Sequence, residues 1–214
     1  MLPARTLLDN PRLYPPYLAT GYHVTCAMLE LMEAALERAR VLAPNDGVAA
    51  ALADYLERHL IEETHHEEPG GAVLDDLRAA GVDAAALVAA AASDKLATLV
   101  ALQHDWIREQ HPVAVLGFLE LEAYYAELPV VEQLIARSGL PRAAFSQLLE
   151  HATLDAMHGA HLHQLLDSLP LTREQEQLIG LSALTTFRLV AEALVETLGL
   201  APGTGGNASS NEAM

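Results

Sequence analysis

The octet from His151 to His158 (HATLDAMH) holds the most distinctive group of metal-ligating residue types in the chain. His151, Asp155 and His158 follow the spacing i, i+4 and i+7, which places their side chains on one face of an α-helix. Apolar residues extend that face at Leu148, Leu162 and Leu166. Burying ionisable groups in an apolar stripe is unfavourable by several kcal/mol unless something compensates them. Two imidazoles and a carboxylate that converge on one point suit a divalent first-row metal.

A second cluster of the same chemistry lies in the sequence HLIEETHH. His59, Glu63 and His66 fall on one helix face, whereas Glu62 lies near its edge and His65 points away. Apolar residues one and two turns earlier lie in line with that face, at Leu52 and Leu56. Periodicity therefore favours Glu63 over Glu62 and His66 over His65 as inward-facing groups.

A third inward-facing acid is predicted in the apolar segment PVAVLGFLELEAYYAEL, which begins at Pro112. Glu120 and Glu127 fall on the opposite side of the predicted helix from Glu122. The predicted buried face consists of Val115, Phe118, Glu122, Tyr125 and Ala126. Glu122 thus adds a carboxylate from a third helix.

Seven inward-facing groups on three helices favour a metal centre over ordinary core residues. A lone inward histidine or glutamate is more often a hydrogen-bonded core residue than a ligand, and a Glu-x-x-His pair is common by chance. A bundle interior with four imidazoles and three carboxylates but no metal would leave buried charges unpaired. Facing helices with such side chains are a recurring way to hold two irons or manganese ions. The predicted ligands are His59, Glu63, His66, Glu122, His151, Asp155 and His158.

Composition indicates an all-α protein with a substantial core. The chain has 214 residues, of which 51% are hydrophobic and only 5% aromatic. We expect one helical domain over residues 1–200 and a disordered Gly/Ser/Asn-rich tail over residues 201–214. The first 15 residues contain three prolines and are predicted to form an extended arm.

Charge and cysteine content exclude several classes of function. A net charge of −17, with twelve Lys and Arg residues, argues against nucleic acid and against anionic membranes as partners. The nine apolar residues from Ala84 to Ala92 form the longest apolar run, too short to span a bilayer. With Cys26 as the only cysteine, no internal disulfide can form, and a cytoplasmic location is expected because no secretory signal is visible.

The ordered motifs resemble one known family. The set is His-x2-Glu-Glu-x2-His, then Pro-Val-Ala-Val-Leu-Gly-Phe with Leu-Glu, then His-x3-Asp-x2-His, and it is similar to the heme-oxygenase-like diiron oxidases over residues 50–195. The resemblance implies a seven-helix bundle, the fold of heme oxygenase, thiaminase-like proteins and pyrroloquinoline quinone synthase. It also implies two irons, activation of O2, and a substrate such as an aliphatic acid, an amino acid or an amine. The ligands implied by the motif are Glu63, His66, Glu122, His151, Asp155 and His158.

One departure from the family pattern concerns the first ligand. Some members place a glutamate seven residues before the histidine of the first cluster, where this chain has His59. Either His59 takes that role or Glu63 does, with Glu62 as a further carboxylate nearby. Heme is disfavoured, because only His23 is available near the N-terminus as an axial ligand.

Three functions remain open at this point. The first is a diiron oxidase or oxygenase that takes O2 and a small-molecule substrate, with manganese as the alternative metal and a homodimer as an allowed assembly. Ala- and Leu-rich helices would suit an apolar channel for its substrate. The second is a non-enzymatic metal-binding protein with the same ligands. The third is a metal-free relative of the quinone-cofactor synthase or the thiaminases, in which Cys26 would be the only thiol nucleophile.

Overall fold

The computed structural model describes residues 2–63, 70–123 and 127–200; the side chains of residues 2–5, 88 and 153–158 are not described. Every regular element in these ranges is helical, which confirms the all-α prediction. The α-helices are α1 (Leu2–Asp9), α2 (Tyr14–Leu42), α3 (Gly47–Glu63), α4 (Gly71–Ala79), α5 (Ala84–Ala89), α6 (Asp94–Asp105), α7 (Val115–Leu119), α8 (Leu128–Ser138), α9 (Ser146–Ser168) and α10 (Arg173–Thr197). Shorter helical turns are Pro11–Leu13, Trp106–Gln110, Pro112–Ala114, Glu120–Ala123 and Arg142–Phe145. The predicted count of seven helices therefore holds only approximately. The tail predicted over residues 201–214 lies outside the described ranges.

The N-terminal segment is helical, so the predicted extended arm is wrong. Its prolines fall at helix starts, including the first turn of α2, where a missing N–H breaks no hydrogen bond. The segment also buries apolar side chains: Leu7 is 3% and Leu18 is 1% exposed. Tyr14 is fully buried, stacks on Phe145 at 4.3 Å between ring centroids and donates a 3.0 Å hydrogen bond to the Ala144 carbonyl. The N-terminal segment thereby packs against the start of α9.

The main core lies where α2 packs against α3 and where α10 packs against α6 and α7. Its largest fully buried side chains include Leu31, Met32, Leu52, Leu56 and Phe118. The crossing of α7 and α10 is close, because a Cβ added at Gly117 would lie 2.4 Å from the Ile179 carbonyl oxygen. The two helices can approach this closely only because residue 117 carries no side chain.

Helix α10 is long and apolar enough, by length and composition, to cross a membrane. No spanning segment was expected from the sequence, because only uninterrupted apolar runs were considered and the apolar residues of α10 are interrupted by polar ones. Bundle helices pass the same test, and α10 packs against α2, α6 and α7. Its inner face also buries two hydroxyls, since the Gln103 side chain donates to Ser182 Oγ at 2.8 Å and to Thr186 Oγ1 at 3.0 Å. These hydrogen bonds fit a helix that packs on protein.

Side-chain caps fix where the long helices begin. Helix α10 opens with a capping box, in which Thr172 and Gln175 each accept a backbone N–H from the other. The start of α9 is capped from a distance by the fully buried Asp76 of α4, which accepts the N–H groups of Ser146 and Gln147 at 3.0 Å and the Ser146 hydroxyl. Asp76 therefore sets the position of the helix that carries the octet.

Candidate metal centre

Three of the predicted ligands converge in the structure. His59 and Glu63 lie one turn apart on α3, and Glu122 projects from the helical turn that follows α7. One ligand atom from each lies within 4.8 Å of the others. His59 Nε2 is 3.2 Å from Glu122 Oε1, and the two side chains are 3% and 12% exposed. Helix periodicity thus selected an imidazole and two carboxylates that the fold brings to one buried point.

The low-polarity surroundings alter the protonation of this cluster. Burial, followed by the charge of Glu122, raises the pKa of Glu63 to about 7. Burial alone would lower the pKa of His59, but the hydrogen bond and the negative charge of Glu122 outweigh it, so the pKa of His59 is raised. The Glu122 carboxylate therefore favours the positively charged form of His59.

Helix α9 packs directly against the turn that bears Glu122. A Cβ added at Gly159 would lie 3.1 Å from Ala123 Cα, so the α9 backbone approaches the residue next to Glu122 closely. Glu150 of α9 also contributes to the raised pKa of Glu63, which places the start of α9 near the α3 carboxylate. The octet helix and the first cluster therefore belong to one region of the fold.

The remaining predicted ligands are placed less fully. His151 lies half-buried on α9. Asp155 and His158 lie on the same helix, but their side chains are outside the described set, and His66 lies in the undescribed segment after α3. The roles of these four residues stay predictions.

The family pattern left open whether His59 or Glu63 takes the first ligand position. Both residues have a ligand atom within 4.8 Å of one on Glu122, so both are candidate ligands, whereas Glu62 is exposed. Tyr55, which was not among the predicted site residues, lies one turn before His59 with its ring centroid 5.4 Å from the imidazole. The only available signal was its i−4 spacing from a predicted ligand, which is also ordinary core spacing.

The donor set matches the chemistry of first-row divalent ions. An imidazole with carboxylates suits iron, manganese or zinc, and the absence of a thiolate among the three converging side chains disfavours copper(I). The burial of the cluster also favours a bound cation, because the attraction between a carboxylate and a cation is stronger where water is excluded. The residues therefore fit a metal ion, and His59, Glu63 and Glu122 are the groups that would hold it.

A cavity of about 390 Å³ opens beside the cluster, between α3 and α9. His59 forms part of its wall. This volume lies within the range of small-molecule binding sites. A ligand in the cavity would therefore contact one of the candidate metal ligands.

The fold is shared with a solved structure. The chain is similar to a crystallised domain of unknown function with a heme oxygenase-like fold from Shewanella denitrificans OS217, with a TM-score of 0.73. The two are 18% identical, and the match covers 92% of this chain and 84% of that one. No protein-family profile and no curated protein sequence matches the chain. The chain therefore has a heme oxygenase-like fold, as its motifs predicted.

Proposed function

We propose that this protein is a non-heme iron enzyme that binds two irons and uses O2 to oxidise a small organic substrate. The observation that supports it best is the buried convergence of His59, Glu63 and Glu122. The close packing of Gly159 on Ala123 brings the octet helix to the same region, which supports the assignment of octet residues as ligands of a second ion.

The side chains of the cluster have defined tasks in this proposal. His59 Nε2 donates its proton to Glu122 in the metal-free protein, and Glu63 holds a proton up to about pH 7. Metal ligands must be deprotonated, so loading releases these protons and becomes tighter as the pH rises. Bound iron would supply the redox chemistry and O2 activation that amino-acid side chains lack.

The metal-free alternative is weakened by the state of its only thiol. Cys26 is half-buried on α2, and burial raises its pKa more than the hydrogen bond with Tyr22 lowers it. A thiol is nucleophilic as the thiolate, so a raised pKa disfavours nucleophilic catalysis at this position.

Metal analysis after anaerobic Fe(II) loading tests the proposal, followed by O2 consumption with a panel of small organic acids and amines. We expect about two irons per chain and O2 uptake that depends on one class of substrate. Tight metal binding with no substrate-dependent O2 uptake would instead identify the metal-binding alternative. Failure to bind metal, with properties unchanged in excess chelator, would contradict both.

Two neighbouring glutamates provide a matched pair of variants. Glu122→Gln removes a carboxylate from the cluster and should lower the bound iron by at least one equivalent. Glu120 lies on the same helical turn but pairs with the exposed His163 of α9 at 2.9 Å. Glu120→Gln should therefore keep the full metal content, and an equal loss in both variants would refute the assigned ligand set.

A further inference from the structure

The cavity beside the candidate metal centre contains a buried hydroxyl that the protein itself does not use. Tyr55 lines the cavity and is 5% exposed, and its Oη has no hydrogen-bond partner among the described residues. Buried polar groups are nearly always paired, so an unpaired one needs an explanation. A ligand with an oxygen acceptor would satisfy this hydroxyl.

A cation lies next to that hydroxyl. Arg58 and Glu62 also line the cavity. Burial and the charges of Glu122, Glu62 and Glu63 raise the pKa of Tyr55, and the positive charge of Arg58 acts against them. The Arg58 Nε donates to the Asp54 carbonyl at 3.2 Å, and Arg58 forms no ion pair with any described residue. Other arginines do pair with carboxylates, namely Arg40, Arg78, Arg108, Arg142 and Arg188. In a chain with a net charge of −17, an arginine that faces a cavity without such a partner is suited to an external anion.

The opposite wall of the cavity is polar rather than aliphatic. Helix α9 contributes His161, Gln164 and Ser168, each with a hydrogen-bonding side chain. Leu165 is the one aliphatic residue among those that line the described cavity. His161 and Gln164 are exposed, and Ser168 Oγ donates to the Leu165 carbonyl at 2.8 Å. A long alkyl chain would cover the two exposed polar side chains without pairing with them, whereas a short polar molecule would pair with them. The wall differs in this respect from the apolar channel expected from composition.

We propose that this cavity binds a short polar carboxylate, whose carboxylate group accepts hydrogen bonds from Tyr55 Oη and the Arg58 guanidinium. The rest of the molecule lies against Gln164 and Ser168. This inference rests on the proposed function and names the substrate class for that site. A planar guanidinium beside a phenol offers a carboxylate one charged and one neutral donor.

Calorimetric titrations of the full-length protein test the ligand class. The probes are succinate, L-malate and L-glutamine, with octanoate as an apolar carboxylate and succinamide as a neutral analogue. At least one of the polar carboxylates should bind more tightly than octanoate and succinamide. Tyr55→Phe and Arg58→Gln should each weaken that binding by about tenfold or more while leaving the metal content unchanged. Tyr17→Phe, which removes a hydroxyl outside the described cavity lining, should leave binding unchanged.

A thermal measurement separates ligand binding from a structural role. Because Tyr55 Oη has no partner in the described protein, Tyr55→Phe should leave the Tm of the unliganded protein unchanged or higher. A structural hydroxyl would lower it. The proposal is overturned if no polar carboxylate binds, if octanoate binds as tightly, or if Tyr55→Phe lowers the Tm or leaves the affinity intact.

The titrations are run on Mn(II)-loaded and on metal-free protein. Loss of metal binding would contradict the proposed function, and the metal-free titrations would still decide which ligand class the cavity accepts. The two proposals can therefore fail independently.

Discussion

Replacing Glu63 with Gln should stabilise the metal-free protein at alkaline pH. Burial and the charge of Glu122 raise the folded-state pKa of Glu63 to about 7, against an ordinary value of 4.5. Folding is therefore favoured by this group below its unfolded pKa, and the contribution is lost as the pH rises through about 7. One pKa unit corresponds to about 1.4 kcal/mol, so ionising Glu63 destabilises the folded state by about 3 kcal/mol at pH 8.5.

Glutamine has nearly the same shape and no charge, so Glu63→Gln removes this penalty. At pH 8.5 we expect the variant to exceed the wild-type protein by about 2–3 kcal/mol in its free energy of unfolding, or about 5–10 °C in Tm. At pH 4 the difference should nearly vanish, because Glu63 is then mostly protonated in both the folded and the unfolded state. His59 acts in the same direction, because its raised pKa also favours the folded state only while it is protonated.

The assay is urea unfolding of chelator-treated protein, followed by circular dichroism at both pH values. Glu37→Gln serves as the control, because it removes the same charge from an exposed position on α2. The reasoning is refuted if Glu63→Gln does not raise the free energy of unfolding at pH 8.5, or raises it no more than Glu37→Gln does. Adding Mn(II) should reverse the order, because the wild-type protein then gains stability through its carboxylate and the variant does not.

Three other substitutions test how the fold holds the candidate centre, each by urea unfolding or metal titration. Asp76→Ala removes the buried cap of α9 and should lower the free energy of unfolding by about 2–3 kcal/mol. Gly117→Ala should destabilise by several kcal/mol, because its Cβ would collide with the backbone of α10. Gly180→Ala, on α10 with nothing within 4 Å of the added Cβ, is its control and should be neutral or stabilising. Gly159→Ala should keep the fold but weaken metal binding by about tenfold, because Ala123 must shift by a few tenths of an ångström beside Glu122; unchanged metal affinity would contradict the packing argument.

Local periodicity was enough to identify the inward side of several helical segments. The buried positions of Val115 and Phe118 were predicted and are confirmed. The same test selected His59 and Glu63, because the direction of a side chain on a helix depends only on its position along that helix. Selection of inward-facing residues is therefore a local problem, which a sequence pattern can solve.

Local patterns were less successful where short elements depend on their neighbours. The segment after Pro112 was predicted as one continuous helix, but its α-helical part is only Val115–Leu119, with tighter turns on either side. The N-terminal prolines were interpreted as an extended arm, although they occupy positions that a helix start tolerates. Stacking of Tyr14 on Phe145 stabilises the helical N-terminal segment, and no local sequence pattern contains this contact.

The sequence alone determined the all-α class, the helix faces and the residue types available for metal chemistry. Only the tertiary structure decided that His59 and Glu122, 63 positions apart, approach to 3.2 Å, and that Asp76 caps a helix 70 positions away. It also revealed that the Tyr55 hydroxyl, in a cavity that Arg58 also lines, has no hydrogen-bond partner among the described residues. These features depend on how helices cross and how closely their backbones approach. Those distances arise from packing across the whole bundle, so they are absent from the periodicity of any one segment.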